Sequence, residues 1–251
     1  MRTTLIYTAA AACVLLAACS SSNESKKEET QAPTAAASPT PTAPPEAAAS
    51  PTPTPAGEPK KEEPKKSAGA LPEKAPDNFS VKMDTSKGSI VMACHKAWAP
   101  RGVDHFYDLV KLHFYDGARF FRVVRTPRPF MAQFGIAGDP ATDRVWANAN
   151  IPDDPPTGHM NTRGMVSYGQ TNAPNSRSTQ LFINYGDNSF LAAQGFPPIC
   201  EVTSGMDVAD QIYDGYGERP DQGLMHSQGN AYLEREFPRL DYIKKATIVL
   251  Q

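Results

Sequence analysis

Residues 20–76 most constrain what this chain can fold into, because their composition excludes them from a packed core. They hold half of the chain's 24 prolines and no aromatic residue, and Ala, Thr, Ser, Glu and Lys make up most of the rest. Such a segment buries too little apolar surface to offset its ordering entropy. We expect residues 19–76 to be a disordered tether with polyproline II character, with recognition of a partner by its Pro-Thr repeats as the alternative. One folded domain is then expected over residues 77–251.

The first 18 residues have the layout of an export signal. Arg2 precedes an apolar run over residues 5–18, which is too short to span a bilayer and right for a signal-peptide core. Residues 16–20, Leu-Ala-Ala-Cys-Ser, resemble the lipobox of bacterial lipoproteins, in which the cysteine is acylated after cleavage. The resemblance implies a signal peptide over residues 1–18, a lipid anchor at Cys19 and, with Ser20 following, an outer-membrane location facing the periplasm. An ordinary secretory signal cut near Ala18 is the alternative.

Charge and histidine spacing argue against two classes of partner. Lys+Arg 25 against Asp+Glu 27 gives no reason to expect nucleic acid. The five histidines have no common spacing with carboxylates or cysteines that would indicate a metal site, and no cofactor is expected. With Cys13 removed and Cys19 acylated, Cys94 and Cys200 remain in an oxidising compartment, either as a disulfide or as two buried thiols. We expect the chain to act as a monomer.

The folded part reads as many short strands with two helices. Residues 81–85 and 89–94 predict a β-hairpin with a glycine turn, and further strands are expected in six later runs. One amphipathic helix begins at Pro100 and ends before Asp116, and its expected face contains Val103, Phe106, Leu109, Val110 and His113. A second begins near Ser204, and its expected face contains Met206, Ala209, Ile212 and Tyr213. This pattern is typical of an all-β barrel or sandwich. The six later runs are residues 118–124, 130–134, 165–168, 180–184, 198–202 and 245–250.

One constellation of side chains suggests chemistry without proton transfer. It joins a permanently charged guanidinium, Arg122, to two side-chain amides, Gln133 and Gln180, and to several large apolar side chains. No acid, base or nucleophile pair lies nearby in the sequence. A dry aromatic and thioether pocket suits a pyrrolidine ring, while a guanidinium can donate hydrogen bonds to the neighbouring backbone amide. The set therefore favours binding of an X-Pro peptide over hydrolysis.

Residues 120–124, 130–133 and 178–184, as they stand, resemble the cyclophilin family of peptidyl-prolyl isomerases. The resemblance implies a mainly β fold, a closed eight-stranded antiparallel barrel with two capping helices. It implies that Arg122, Gln133 and Gln180 are catalytic, with Arg122 donating to the prolyl nitrogen of a twisted amide. It also implies a set of substrate-binding residues on which the proline-containing polypeptide lies. These are Phe130, Met131, Thr171, Asn172, Phe182, Phe190 and Leu191.

The chain departs from the family's pattern at three places. Residues 125–129 replace a shorter link and add two cations beside the pocket. Phe190 stands where many members have a tryptophan, and the region of Phe196 lacks the histidine found in many members. We therefore interpret the chain as a lipid-anchored isomerase acting on X-Pro bonds during the folding of envelope proteins. A non-catalytic proline-peptide binding module and an envelope scaffold are the alternatives.

Overall fold

The structure is a computed structural model that describes residues 74–249. The predicted signal peptide, the lipidation at Cys19 and nearly all of the predicted tether lie outside these residues. The first described residues already contact the fold, since Ala75 is buried and its N–H donates to Asp104 at 2.8 Å. Within residues 74–249, no helix combines the length and apolar character needed to cross a membrane.

Eight antiparallel strands form one curled sheet, which confirms the mainly β fold class. The first two strands form the predicted hairpin, in which Gly88 takes a φ of 140° that favours glycine. The order of the strands across the sheet is β3-β4-β6-β5-β7-β2-β1-β8. Their bounds are β1 Asn78–Thr85, β2 Ser89–His95, β3 Arg122–Val124, β4 Met131–Phe134, β5 Met165–Tyr168, β6 Leu181–Asn184, β7 Pro198–Ser204 and β8 Ile243–Val249.

The expected closed barrel is only partly realised. Strands β3 and β8 lie at the two ends of the strand order, so no continuous ladder joins them. The strand expected over residues 118–124 begins at Arg122, and the residues before it contribute one isolated bridge, Arg119 to Tyr242. Two backbone bonds support this bridge, from Phe120 N–H to the Asp241 carbonyl and from Ile243 N–H to the Ala118 carbonyl, both at 2.9 Å. The sheet is therefore a half-barrel. We call the contact between the segments that precede β3 and β8 its seam.

The first helix, α1 (Pro100–Lys111), covers one end of the sheet. Its buried face includes Val103, Phe106, Leu109 and Val110, as the sequence pattern predicts. His113, expected on the same face, lies beyond the helix with φ 57° and an exposed side chain. The backbone turns there because the last helical carbonyls accept the N–H groups of His113 and the residue after it.

The second predicted helix is a single turn, α3 (Met206–Ala209), so its predicted extent through residue 213 is wrong. It stops because Arg125 donates to the carbonyls of Ala209 and Ile212, at 3.3 and 2.9 Å, and Asp241 binds the Tyr213 N–H at 2.7 Å. Three short helices were not predicted from the sequence. They are α2 (Pro140–Trp146), α4 (Gln222–Gln228) and α5 (Asn230–Glu236).

Two apolar clusters stabilise these elements. The main cluster joins buried residues of the strands to those of α1, and a smaller one includes residues of α4 and α5 around Phe121, Met225 and Leu233. Cys94 of β2 lies opposite Cys200 of β7, and in the structure the two form a disulfide. The cross-link joins two neighbouring strands within the main cluster.

Candidate functional site

Pairing of β3, β4 and β6 brings the three predicted catalytic side chains into one line. Arg122 pairs with Gln133 across the β3–β4 ladder, and Gln180 immediately precedes β6, the next strand over. Arg122 Nη1 donates to Gln133 Oε1 at 3.2 Å, and Gln133 Nε2 donates to Gln180 Oε1 at 2.7 Å. Each amide thus fixes the orientation of its neighbour, and the line ends at the guanidinium.

An apolar pocket lies beside this line. Met131, Phe182 and Leu191 form a buried cluster of their own, and Phe130 and Phe196 pack against it. Phe196 meets Phe182 edge to face, with ring centroids 6.1 Å apart. The Arg122 guanidinium carbon lies 5.9 Å from the centre of the Phe130 ring, so the charge and the pocket share a wall.

These residues line a cleft of about 660 Å³. Among the described residues that line it, Arg122 is the one that carries a charge. Nearby His105, on α1, stays neutral at pH 7 because burial lowers its pKa to about 4. The cleft is therefore equipped to donate hydrogen bonds and to exclude water from an apolar ring, rather than to transfer protons.

A buried asparagine network supports the pocket from below. Asn188 Nδ2 donates to the Phe130 carbonyl at 2.8 Å and to Asn184 Oδ1 at 2.9 Å. Asn161 Oδ1 accepts from Ser167 at 2.6 Å and from Asn184 at 3.2 Å. This network is not predictable from the sequence, because single asparagines spaced along the chain carry no signal of a common contact. It holds the Phe130 end of β4 in place.

The structure places the other predicted binding residues unequally. Thr171 lines the cleft, whereas its exposed neighbour Asn172 is not among the lining residues. Phe190 lies outside the cleft with 42% of its surface exposed, and its ring stacks on Phe130 at 6.4 Å. Phe190 therefore extends the aromatic wall of the pocket on the solvent side.

The two additional cations of residues 125–129 lie in different environments. Arg125 turns into the protein, where its Nη2 donates to the Tyr185 hydroxyl at 3.0 Å and its Nε lies 3.3 Å from Asp214. Arg128 lies over the exposed Phe190 ring, 5.0 Å from its centre. Only Arg128 of this pair is therefore available beside the pocket.

Several residues that line the cleft carried no sequence signal. Gln222 is the first residue of α4, and it accepts a hydrogen bond from Gln180 at 3.1 Å. Asn148 and Asn150 follow α2 and lie on another wall. They come from segments whose short helices the sequence pattern did not reveal, so their position depends on tertiary packing.

Comparisons with known sequences agree with this geometry. The profile of the family described as cyclophilin type peptidyl-prolyl cis-trans isomerase/CLD matches residues 80–227. Peptidyl-prolyl cis-trans isomerase B of Escherichia coli is 34% identical over 176 residues, which cover 67% of this chain and 98% of that protein. A peptidyl-prolyl cis-trans isomerase of Acinetobacter baylyi is 35% identical over 139 residues, covering 54% of this chain and 72% of the relative.

A solved structure supports the fold. The Cryptosporidium parvum cyclophilin type peptidyl-prolyl cis-trans isomerase superimposes with a TM-score of 0.52 at 17% identity, covering 69% of this chain and 99% of that one. At this identity the likeness concerns the fold. The match of the profile to more than half of the sequence shows the family: this chain belongs to the cyclophilin-type peptidyl-prolyl cis-trans isomerases.

Proposed function

We propose that this protein is a lipid-anchored peptidyl-prolyl isomerase of the cell envelope, which accelerates rotation about X-Pro bonds in exported polypeptides. The observation that carries the isomerase function is the line from Arg122 through Gln133 to Gln180 along the apolar pocket. The family membership supports the same reaction. The exported substrates and the anchor rest on the first 19 residues of the sequence.

The reaction requires stabilisation of a twisted peptide bond. Amide resonance sets a barrier of about 18–20 kcal/mol, and an enzyme lowers it only by binding the twisted form better than the planar one. In the twisted form the prolyl nitrogen regains a lone pair. A guanidinium N–H of Arg122 can donate to this lone pair, and so lowers the free energy of the transition state without moving a proton.

The pocket supplies the second part of the mechanism. Burial of the pyrrolidine ring against Met131, Phe182 and Leu191 anchors one side of the bond, so that the other side can rotate. Gln180 and Gln133 are placed to orient the substrate carbonyl and the guanidinium. No cofactor takes part in this scheme.

Proline-limited refolding separates this function from simple binding. An isomerase shortens the slow phase of a protein whose refolding waits for X-Pro isomerisation, in proportion to the amount of enzyme added. A protein that only holds proline peptides leaves the rate unchanged or lowers it. The longer link at residues 125–129, with its two added cations, favours the binding alternative. Arg125 faces inward, however, so that only one of these two cations lies beside the cleft.

The proposed location gives the first prediction. Cys19→Ala should abolish acylation and block processing at that site, because the thiol that receives the lipid is gone. Metabolic labelling with a radioactive fatty acid measures this directly. Two or more acyl chains at about 0.8 kcal/mol per buried methylene make the anchor effectively permanent, so the labelled wild type should be found in membrane fractions.

Ser20→Ala is the control, since it leaves the thiol in place and should be labelled like the wild type. Equal labelling of the wild type and Cys19→Ala would refute the lipoprotein assignment. A protein anchored in this way would present its isomerase domain at the end of the tether over residues 19–76. The monomeric state predicted for the chain suits an enzyme that works on single polypeptides.

A second prediction concerns cyclosporin-type macrocycles. Members with a tryptophan at the position of Phe190 donate an indole hydrogen bond to the bound drug, and a phenyl ring cannot donate. An unpaired acceptor costs about 1–3 kcal/mol, or roughly 5- to 150-fold in affinity. We expect weak inhibition of the wild type and a gain of this size in Phe190→Trp.

Titration of isomerase activity with the drug checks this, with peptide turnover as the internal control. Turnover should change less than drug affinity, because Phe190 lies outside the cleft and contacts it through Phe130. Inhibition of both proteins at the same low concentration would show that position 190 does not limit binding of the drug.

A further inference from the structure

The segment between α3 and α4 contacts the catalytic line at its charged end. Glu218 Oε1 accepts a hydrogen bond from Arg122 Nε at 2.5 Å and also pairs with Nη2 of the same guanidinium. Glu218 lies in a run with Gly215, Gly217 and Pro220, and none of the family's motif residues named above belongs to this run. The sequence therefore gave no reason to connect it with the site.

The backbone holds Glu218 beside its partner. The carbonyl of Gly217 accepts from Val123 N–H at 3.2 Å, which attaches the segment to the residue next to Arg122 in β3. Pro220 is buried, and Asp221 N–H donates to the Tyr232 hydroxyl of α5 at 3.2 Å. The carboxylate is thus delivered from a segment that is anchored on both sides of it.

The same segment also reaches the other end of the line. Gln222, at the start of α4, accepts from Gln180 Nε2 at 3.1 Å, and Gln180 in turn accepts from Gln133. The hydrogen-bonded line therefore runs through four side chains, from Arg122 to Gln222, and the Glu218 carboxylate binds its Arg122 end. Its central amide, Gln133, is 8% exposed, whereas the two contacts from the segment lie at the surface.

Glu218 occupies part of the hydrogen-bonding capacity of the Arg122 guanidinium. Arginine carries five N–H groups in a rigid fork. Glu218 occupies the Nε–H and one N–H of Nη2, and Gln133 occupies one N–H of Nη1. One N–H on each terminal nitrogen is left. Contacts on both sides of the fork restrain rotation of the guanidinium, whose carbon lies 5.9 Å from the centre of the Phe130 ring.

We propose that Glu218 is a positioning residue for the isomerase reaction, which fixes the orientation of the Arg122 guanidinium, with Gln222 doing the same for Gln180. The proposal rests on the proposed isomerase function. A carboxylate also reduces the net charge at the site, which by itself would weaken the donor. Orientation outweighs this effect, because the reaction needs an aimed N–H rather than a net charge, and small misplacements of catalytic groups cost up to about a hundredfold in rate.

The contribution to stability should be small, which makes the role separable from folding. Glu218 is 59% exposed and Arg122 33% exposed, and ion pairs of this kind contribute little to folding. Glu234 provides a matched control, since it is 62% exposed and binds Arg119 Nη2 at 2.8 Å, at the seam of the sheet. Arg119 and Glu234 are not among the residues that line the cleft.

The test compares Glu218→Ala, Glu218→Gln and Glu234→Gln with the wild type in an NMR exchange assay on a short Ala-Pro peptide. The assay gives turnover at saturation and peptide affinity separately. We expect Glu218→Ala to lose about tenfold in turnover with affinity within about twofold. Glu218→Gln, which keeps an acceptor oxygen, should lose about threefold, and Glu234→Gln should match the wild type.

A second readout follows the guanidinium itself. The Arg122 Nε–H resonance, assigned by its absence in Arg122→Lys, should exchange with water several times faster in Glu218→Ala than in the wild type. Full turnover in Glu218→Ala, an equal loss in Glu234→Gln, or unchanged Nε–H exchange would each overturn the positioning role. An inactive wild type would refute the isomerase function and this role together, whereas undiminished turnover of Glu218→Ala beside an active wild type refutes only the role.

Discussion

Arg122→Ala should lower kcat/KM by two to three powers of ten while leaving the domain folded. Arg122 carries the one charge among the described residues that line the cleft, and in the proposed mechanism its guanidinium donates to the twisted amide. Loss of one donor aimed at a transition state typically costs about 3–4 kcal/mol. The side chain is a third exposed, so its removal leaves no large cavity. A protease-coupled isomerase assay on an Ala-Pro peptide measures the effect.

Arg122→Lys separates the charge from the shape of the donor. An ammonium keeps the positive charge but lacks the planar fork that reaches Glu218 and Gln133 at once. We expect it to recover little of the lost activity. Thermal unfolding of both variants should stay close to the wild type. Activity of Arg122→Ala within threefold of the wild type would contradict the mechanism.

The strands of this fold could be predicted from the sequence because their signals are local. The hairpin of β1 and β2, for example, follows from two β-rich runs around Gly88, and it is found at the predicted place. The signals for helix α1 are equally local, because they consist of Pro100 at its start and a regular apolar face. The predicted closed barrel overestimates the closure of the sheet. Residues 118–121 join a ladder only if their distant partners near Tyr242 are placed to pair with them, and these form a single isolated bridge.

The second helix shows why local patterns fail at their ends. Residues 204–213 have helical spacing, yet Arg125 and Asp241 bind the backbone groups that a longer helix would use. Both residues come from distant parts of the chain. Periodicity cannot report such competition.

The site divides in the same way. Arg122, Gln133 and the pocket residues of β4 and β6 lie in motif segments, so their proximity could be predicted, and the structure brings them together. Glu218 and Gln222 come from a turn-rich segment with no motif. Their contacts with the catalytic line arise from tertiary packing, which a single sequence does not reveal.

A buried ion pair next to the cleft is the basis of a prediction about stability. Asp154 and Arg177 have side chains that are 0% and 1% exposed, and Asp154 Oδ2 lies 3.0 Å from Arg177 Nη1. The same carboxylate accepts from the N–H groups of Arg101 and Gly102, at 2.9 and 2.8 Å. These are first-turn donors of α1, whose own N-cap, Ala99, offers no side-chain acceptor. Asp154 thus caps the helix from a distance and balances a buried cation.

Asp154→Ala should lower the free energy of unfolding by about 3–5 kcal/mol, because it leaves the buried Arg177 charge with only the exposed Asp153 carboxylate at 3.7 Å and leaves two helix N–H groups without that acceptor. Urea denaturation measures the loss. Asp153→Ala is the control, since Asp153 is 46% exposed and lies 3.7 Å from Arg177, and it should cost less than about 1 kcal/mol.

The pair of substitutions identifies the cause of that loss. If the cost of Asp154→Ala comes from an uncompensated charge, replacing Arg177 by Met in the same chain should restore part of the stability rather than lower it further. If the cost comes only from the uncapped helix, the double variant should be no more stable than Asp154→Ala. A single variant within about 1 kcal/mol of the wild type would show that neither contact matters. Arg177 directly follows Ser176, which lines the cleft. Peptide affinity of the double variant can therefore be measured beside its stability. The comparison decides whether the buried pair also holds this wall of the site in place.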